Sequence, residues 1–157
     1  MLRVDRAADG KGKRLTTTVA IAQGTAFHSF RHHRPATVRT YTSVQVGIDR
    51  SIEEFFLAHL NHSCDPNVIV DAEKQELRAI RNIQPGEDLT FFYPSTEWEM
   101  AEPFGCLCGA AECMGTISGA RDLSLSMLGR YFINRHIAIM AMEHLLCADS
   151  VNSAIAA

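Results

Sequence analysis

Up to about residue 93 the apolar positions of this chain recur every second residue or in short β-branched runs; from Leu123 onward they recur at helical spacing. Thr16 to Ile21 is β-branched and predicts a strand, Gln23-Gly24 a turn, and Thr25 to Phe30 the returning strand. Arg31 to Arg34 is polar, ends at Pro35 and predicts a loop, with His28, His32 and His33 solvated. Val38, Thr42, Val44, Val46 and Ile48 share one parity against Arg39, Ser43 and Gln45, the pattern of a half-buried strand over 38–48. Ser51-x-x-Glu54 has capping-box spacing ahead of Phe55, Phe56 and Leu60 and predicts a short helix over 52–60. Val68 to Val70 and Leu77 to Ile80 form a hairpin pattern about Ala72-Glu73-Lys74. Pro85-Gly86 is a turn signal, and Leu89 to Tyr93 predicts an aromatic strand. Leu123, Met127 and Tyr131, then Ile133, Ile137, Met140 and Leu145, predict one or two amphipathic helices packed on the domain, with fraying over the last ten residues. The pattern is mainly β (α+β), with a helical C-terminal segment.

Composition narrows this reading. At 157 residues the chain is one domain with room for a core. Hydrophobic content of 46% and charged content of 21% are those of a globular protein. A net charge of -3 argues against nucleic-acid binding through overall charge, and is too small to select a basic peptide partner. No apolar run approaches the roughly 18 residues of a membrane span. The basic start, MLRVDRAADGKGKR, has no apolar stretch behind it and is not a secretory signal. Five cysteines without such a signal favour a reducing compartment and metal ligation over disulfides.

Cys106, Cys108 and Cys113 are spaced C-x-C-x4-C among Gly105, Gly109 and Gly115. Glycines let a short loop fold back so that three thiolates converge. Zinc takes four ligands, so one more is required. Cys64, within Asn61-His62-Ser63-Cys64-Asp65-Pro66-Asn67, fills that place if the fold brings it near; His62 is the rival. Cys147, on an apolar helix face, reads as a small buried residue. Glu87-Asp88 after Pro-Gly reads as turn chemistry.

Three blocks, NHSCDPN, GEDLTFFY and C-x-C-G-x3-C, occur in that order, and the chain from about residue 10 to 116 resembles a SET domain with a post-SET zinc loop. The resemblance implies a β-clip fold of small curved sheets with a knot-like C-terminal crossing. With the helical period and the terminal fraying, it divides the chain into a core (1–103), a zinc loop (104–116), a helical segment (117–147) and a disordered tail (148–157). It implies an S-adenosylmethionine-dependent protein-lysine methyltransferase. Cys64 would complete a structural zinc site with Cys106, Cys108 and Cys113. Asn61 and His62 would contact the cofactor, His62 mainly through its backbone, and Asn67 would hold the crossing. Tyr93 would be the active-site tyrosine, and Phe91 occupies the place where phenylalanine leaves room for di- or trimethylation. Tyr41 would be a wall of the lysine channel, closed near the zinc loop by Trp98 and Phe104.

The family's G-x-G cofactor motif falls on Gly12-Lys13-Arg14 by counting from Gly24, or on Gly10-Lys11-Gly12 with two residues inserted. Arg14 in a glycine's place would use its backbone amide, pair with the cofactor carboxylate, or mark a catalytically weak or inactive peptide-binding module. The implied partner is a lysine-bearing protein or peptide, for which histone tails are a candidate. No direct nucleic-acid or membrane partner is implied, and the chain would be a monomer or homodimer in the cytoplasm or nucleus. An aromatic channel suits the chemistry. A lysine amine with a pKa of about 10.4 must lose its proton to become a nucleophile, and desolvation favours that loss.

Overall fold

Short alternating runs make short strands, and in the computed structural model none among the described residues exceeds five residues. Residues 1–7 and 12–155 are described; Gly10 and Lys11, and with them one placement of the G-x-G motif, lie outside the described residues. Strands β1 (Leu2–Arg6) and β2 (Lys13–Thr17) form an antiparallel hairpin, with Asp5 opposite Arg14. β3 (Ala26–Ser29), β4 (Arg34–Pro35), β5 (Val44–Gly47) and β6 (Arg50–Glu53) follow, and β4-β6-β5 make one sheet. β7 (Asn61–His62) precedes the hairpin of β8 (Val68–Asp71) and β9 (Glu76–Ala79), which β3 joins along β9. β10 (Thr90–Phe91) pairs parallel with β7. β11 (Phe104–Gly105) and β12 (Thr116–Ile117) bracket the cysteine loop, before α1 (Leu125–Leu128) and α2 (Arg135–Ile155).

The small sheets close around one core in which Leu15, Phe30, Ile52, Val68, Val70, Leu77, Ile83 and Leu89 are almost wholly buried. Two segments stitch the first hairpin to the stretch before β10. Ile21 exchanges backbone hydrogen bonds with Ile83, and the amides of Gly86 and Leu89 donate to the carbonyls of Thr17 and Leu15. A second cluster packs Leu128, Ile137 and Ala141 of the helices against Ala120 and Trp98. Gly119 makes that approach possible. Its φ is +125°, and a Cβ there would stand 2.4 Å from the Trp98 carbonyl oxygen.

Several predicted elements change. Residues 50–53 are a strand, and only Leu57–His59 turn, as a single 3-10 turn, where a helix over 52–60 is predicted. Ser51 and Ile52 are paired with Gln45 and Val44 of β5, so Ser51 is unavailable as a cap. Glu54 takes that role, its carboxylate accepting from the amides of Phe56 and Leu57 at 2.9 Å. Of the strand predicted over 38–48 only β5 forms, because Thr40 and Ser43 satisfy each other locally: the Thr40 amide donates to Ser43 Oγ, and Ser43 Oγ and its amide donate to the Thr40 carbonyl. The predicted strand 89–93 stops at Phe91, and Tyr93–Ser95 make a 3-10 turn around Pro94.

His28 is half-buried on β3, bonded to Glu54 at 3.3 Å and edge-on to Phe56, rather than solvated. Cys147 is exposed, not buried, because α2 runs past the body of the protein after Ala141. The helix continues to Ile155, through most of the stretch predicted to fray. No helix among the described residues is long and apolar enough to cross a membrane.

Candidate active site and metal centre

The Asn61–Asn67 run begins on β7 and turns sharply, the Asp65 amide donating to Ser63 Oγ. Asn67 ends the turn fully buried. Its Nδ2 donates to the Asp88 carbonyl (2.7 Å) and Glu87 Oε1 (3.2 Å), and its Oδ1 accepts from the Thr90 amide (2.9 Å). It thereby fastens the run to the chain entering β10. Glu87 also accepts from the Gln84 amide, which is turn chemistry.

The β11–β12 hairpin holds the cysteine loop closed, with the Cys106 amide donating to the Gly115 carbonyl. Gly109 and Gly115 take φ of +74° and +76°, which lets the loop double back. The ligand sulfurs of Cys64, Cys106, Cys108 and Cys113 all lie within 4.8 Å of one another, and Cys64 Sγ is 4.0 Å from Cys106 Sγ. Tetrahedral zinc at about 2.3 Å from each sulfur separates the sulfurs by about 3.8 Å, so four thiolates in this arrangement fit the ion. Burial pushes the Cys64 and Cys106 thiols up. Burial acts the same way on Cys108, but the amides of Cys64 and Ala110 and the neighbouring thiols bring it down. Four crowded sulfurs that share protons in this way form a ready donor set for a divalent cation.

His62 lies between this centre and the aromatic residues. Its Nδ1 accepts from the Tyr93 amide (3.2 Å), so Nε2 carries the proton and faces Cys64 Sγ at 3.4 Å. Burial pulls its pKa down to about 4, so the ring is neutral. With Nδ1 engaged and Nε2 acting as a donor, His62 is placed as a support of Cys64 rather than as a fourth ligand.

Tyr93 packs against Phe91 (ring centroids 4.8 Å apart), His62 (5.2 Å) and Phe104 (5.9 Å). Its hydroxyl donates to the Leu60 carbonyl at 3.0 Å. Burial, and the carboxylate of Glu97, hold the phenol well above its ordinary range, so it stays protonated. Tyr41, Val44, Phe91, Tyr93, Glu97 and Met100 line one narrow pocket. The pocket therefore brings together the three predicted channel residues, with Phe104 packed behind Tyr93. Trp98 is not among them: its ring packs on α2, edge-on to His144 at 5.7 Å, because the close Gly119 contact fixes its backbone on that side. Glu97 and Met100 were not legible in advance; an acidic residue four positions after a tyrosine carries no periodic or motif signal. A larger cavity of about 330 Å³ lies between Pro66, Ile69, Ile80 and Tyr131; Phe92, an aromatic residue next to Phe91 and Tyr93 that suits a channel wall by type, lines this cavity instead, stacked on Tyr131.

On the side of the first hairpin, Asn61 is exposed and its Nδ2 donates to the Lys13 carbonyl at 3.0 Å. Gly12 has φ +145° and open space where a side chain would be. The Arg14 guanidinium is paired with Asp88. It is thus engaged within the fold, and the backbone of Gly12-Lys13-Arg14 is the part left beside Asn61.

A family model described as SET domain matches residues 7–94. The methyltransferase flvH of Aspergillus flavus is 43% identical over 122 residues, covering 76% of this chain and 68% of that protein. The H3 lysine-36-specific histone-lysine N-methyltransferase of Mycosarcoma maydis is 37% identical over 81 residues; the match covers 48% of this chain but only 8% of that protein. Among solved structures, KRYPTONITE in complex with mCHH DNA, an H3(1-15) peptide and SAH has a TM-score of 0.54 at 23% identity, covering 73% of this chain and 29% of that one. The chain thus spans most of flvH and small parts of the other two.

Proposed function

The chain belongs to the SET domain family of protein-lysine methyltransferases, and from that premise we propose that it moves methyl groups from S-adenosylmethionine to the ε-amine of a lysine in a protein or peptide. One observation carries the reading: Tyr41, Phe91 and Tyr93, named separately from the sequence, line the same narrow pocket. The histone-lysine methyltransferases among its relatives and the H3 peptide bound to KRYPTONITE support a histone-like tail as substrate.

The cofactor would lie along the Gly12-Lys13-Arg14 backbone and Asn61. The glycine φ and open space at Gly12 suit close approach of a ligand. Bound there, S-adenosylmethionine supplies an electrophilic methyl on a sulfonium. The protein's part is to deliver a neutral amine in line with it. The aromatic walls strip water from the entering ammonium and so favour loss of its proton. The Tyr93 hydroxyl donates to Leu60 and keeps its own oxygen lone pairs to accept from the amine, which fixes the nitrogen's direction. Phe91 brings no hydroxyl to this wall, which leaves room for an amine already carrying methyl groups. Cys64, Cys106, Cys108 and Cys113 would hold a structural zinc that keeps Phe104 against Tyr93, with no part in the transfer itself.

The test is incubation with labelled S-adenosylmethionine and a panel of lysine-bearing proteins and peptides. Wild-type protein should label a lysine. Tyr93→Phe should lose about 10²-fold or more in rate, the scale of a misplaced reacting group, with cofactor affinity retained. Absence of transfer by the wild type across the panel, with cofactor binding undetectable by calorimetry, overturns the reading. The alternative of a peptide-binding module rested on Arg14. Pairing of the Arg14 guanidinium with Asp88 supports the transferase reading, since that side chain has a partner within the fold.

A further inference from the structure

The pocket of Tyr41, Phe91 and Tyr93 contains a charge that the aromatic reading of the channel does not use. Glu97 follows the 3-10 turn that carries Tyr93 and is 7% exposed. Its two carboxylate oxygens are unequally occupied. Oε1 accepts a short bond from the Gln45 amide (2.7 Å) and another from Thr96 Oγ1 (3.2 Å). Among the described residues Oε2 meets only Arg39 Nη2, at 3.3 Å, and Arg39 is an exposed residue whose guanidinium also donates to the Glu99 carbonyl. A carboxylate oxygen has two lone pairs, so Oε2 retains acceptor capacity, and Glu97 lines the pocket.

Resting on the lysine-transfer reading above, we propose that Glu97 is the positioning residue that recognises the cationic amine of the substrate, and that Arg39 is its resting counter-ion. The chemistry selects a primary or secondary alkylammonium over a neutral chain of the same shape. A buried carboxylate beside aromatic walls offers a charge-assisted hydrogen bond to an N–H that an uncharged methyl cannot make. The same group explains how a hydrophobic channel admits a cation: the charge meets a partner before its water is lost. Two further observations agree. Burial lifts the Glu97 carboxyl above its ordinary range despite the Gln45 amide and Arg39, which marks a carboxylate short of compensation. After burial, the Glu97 charge is what raises the Tyr93 phenol, so the two groups act on one space. Its charged and titratable neighbours across the pocket are Arg39, Tyr93 and Tyr41.

The test uses the full chain and a probe that needs no turnover. n-Butylammonium, a mimic of the lysine side chain, and 1-butanol, its neutral counterpart, are titrated by NMR into wild type, Glu97→Gln and Arg39→Gln. The signals followed are those of Phe91, Tyr93 and Met100. Glu97→Gln should weaken n-butylammonium at least 10-fold and leave 1-butanol unchanged, the amide preserving the bond from the Gln45 N–H. Arg39→Gln removes the competing cation and should tighten n-butylammonium several-fold. Opposite signs from the two members of one ion pair cannot arise from loss of a structural contact. Equal weakening of both probes by Glu97→Gln, or weaker n-butylammonium binding in Arg39→Gln, overturns the proposal. Because these are binding measurements, they decide the role of Glu97 separately from whether the wild type transfers methyl groups.

Discussion

Asn67 shows how much of this fold hangs on single polar side chains. Among the described residues it is one of the few polar groups buried as deeply as the hydrophobic core, and both ends of its amide are used. Its Nδ2 and Oδ1 hold the Glu87–Thr90 stretch, so that β10 lies parallel to β7 although some thirty residues separate them. Truncation leaves the Asp88 carbonyl and the Thr90 amide without a partner, and each buried orphan costs about 1–3 kcal/mol. Asn67→Ala should therefore lower stability by about 3 kcal/mol in urea denaturation, and Asn67→Asp should cost at least as much, because it keeps an acceptor for the Thr90 amide but sets a buried carboxylate oxygen against the Asp88 carbonyl and the Glu87 carboxylate. A loss below about 1 kcal/mol would mean that the parallel pair holds without it. At this scale the sequence was read well where a motif fixed a residue's neighbours. Cys64 was reached by counting zinc ligands, then by block order, and its sulfur does meet the other three. Glu97 was out of reach, since its burial comes from Gln45 and Arg39, more than fifty positions away. Trp98, which the resemblance places with Phe104 at the channel's closure, packs on α2 beside the Gly119 contact instead.

At the scale of elements, hydrophobic period located the strands and the C-terminal helix but misjudged their ends. The segment 50–53 shows why: S-x-x-E spacing is a local signal, and pairing of Ser51 and Ile52 with β5 outweighs it. The last helix was legible from its stripe, but its docking was not, since that rests on polar contacts. Asn134 donates to the carbonyls of Val70 and Ser95 and accepts from the Ala72 amide, all at 2.9 Å. Two residues on, His136 Nε2 meets the Thr96 carbonyl at 2.9 Å and must carry the proton to do so. Burial pulls the His136 pKa below 6.5, with Arg50 acting in the same direction against the Thr96 bond. The sign follows. The folded chain keeps this ring neutral while the unfolded chain takes a proton near pH 6.5, so the contribution is complete above 6.5 and is lost as pH falls from there through the lower folded-state pKa. The Glu54 carboxyl is held below 4.5 in the folded state, so its contribution disappears only under more acid conditions. Urea midpoints measured from pH 7.5 to 5 should fall for the wild type and fall less for His136→Gln, whose amide can still donate to Thr96. Parallel curves for the two proteins would show that His136 is not the group responsible.

For the molecule as a whole, the arrangement of clusters decides what the metal centre can do. The main core contains no cysteine of the cluster, and the four sulfurs pack in a separate group with Ile117, Phe104 and Met114. Tyr93 touches both groups, and His62 bridges them through Tyr93 N and Cys64 Sγ. Tyr131 adds a second tie, stacking on Phe92 at 3.7 Å while its hydroxyl donates to the Cys64 carbonyl. Loss of the ion should therefore loosen the loop and the aromatic wall it supports, without dissolving the sheets that define the core. Purified protein should carry one zinc per chain by elemental analysis, and Cys64→Ser should carry less. After chelation, protease should cut first near Leu107, the most exposed large apolar residue of the loop. Amide exchange at Leu15, Val70 and Leu77 should stay slow, since these lie in the main core. Peptide methylation should fall with the loosened wall, while cofactor affinity, which rests on the hairpin and Asn61, changes less. Simultaneous loss of protection at the core amides would instead make zinc a condition of folding for the whole chain, as it is in the smallest zinc domains.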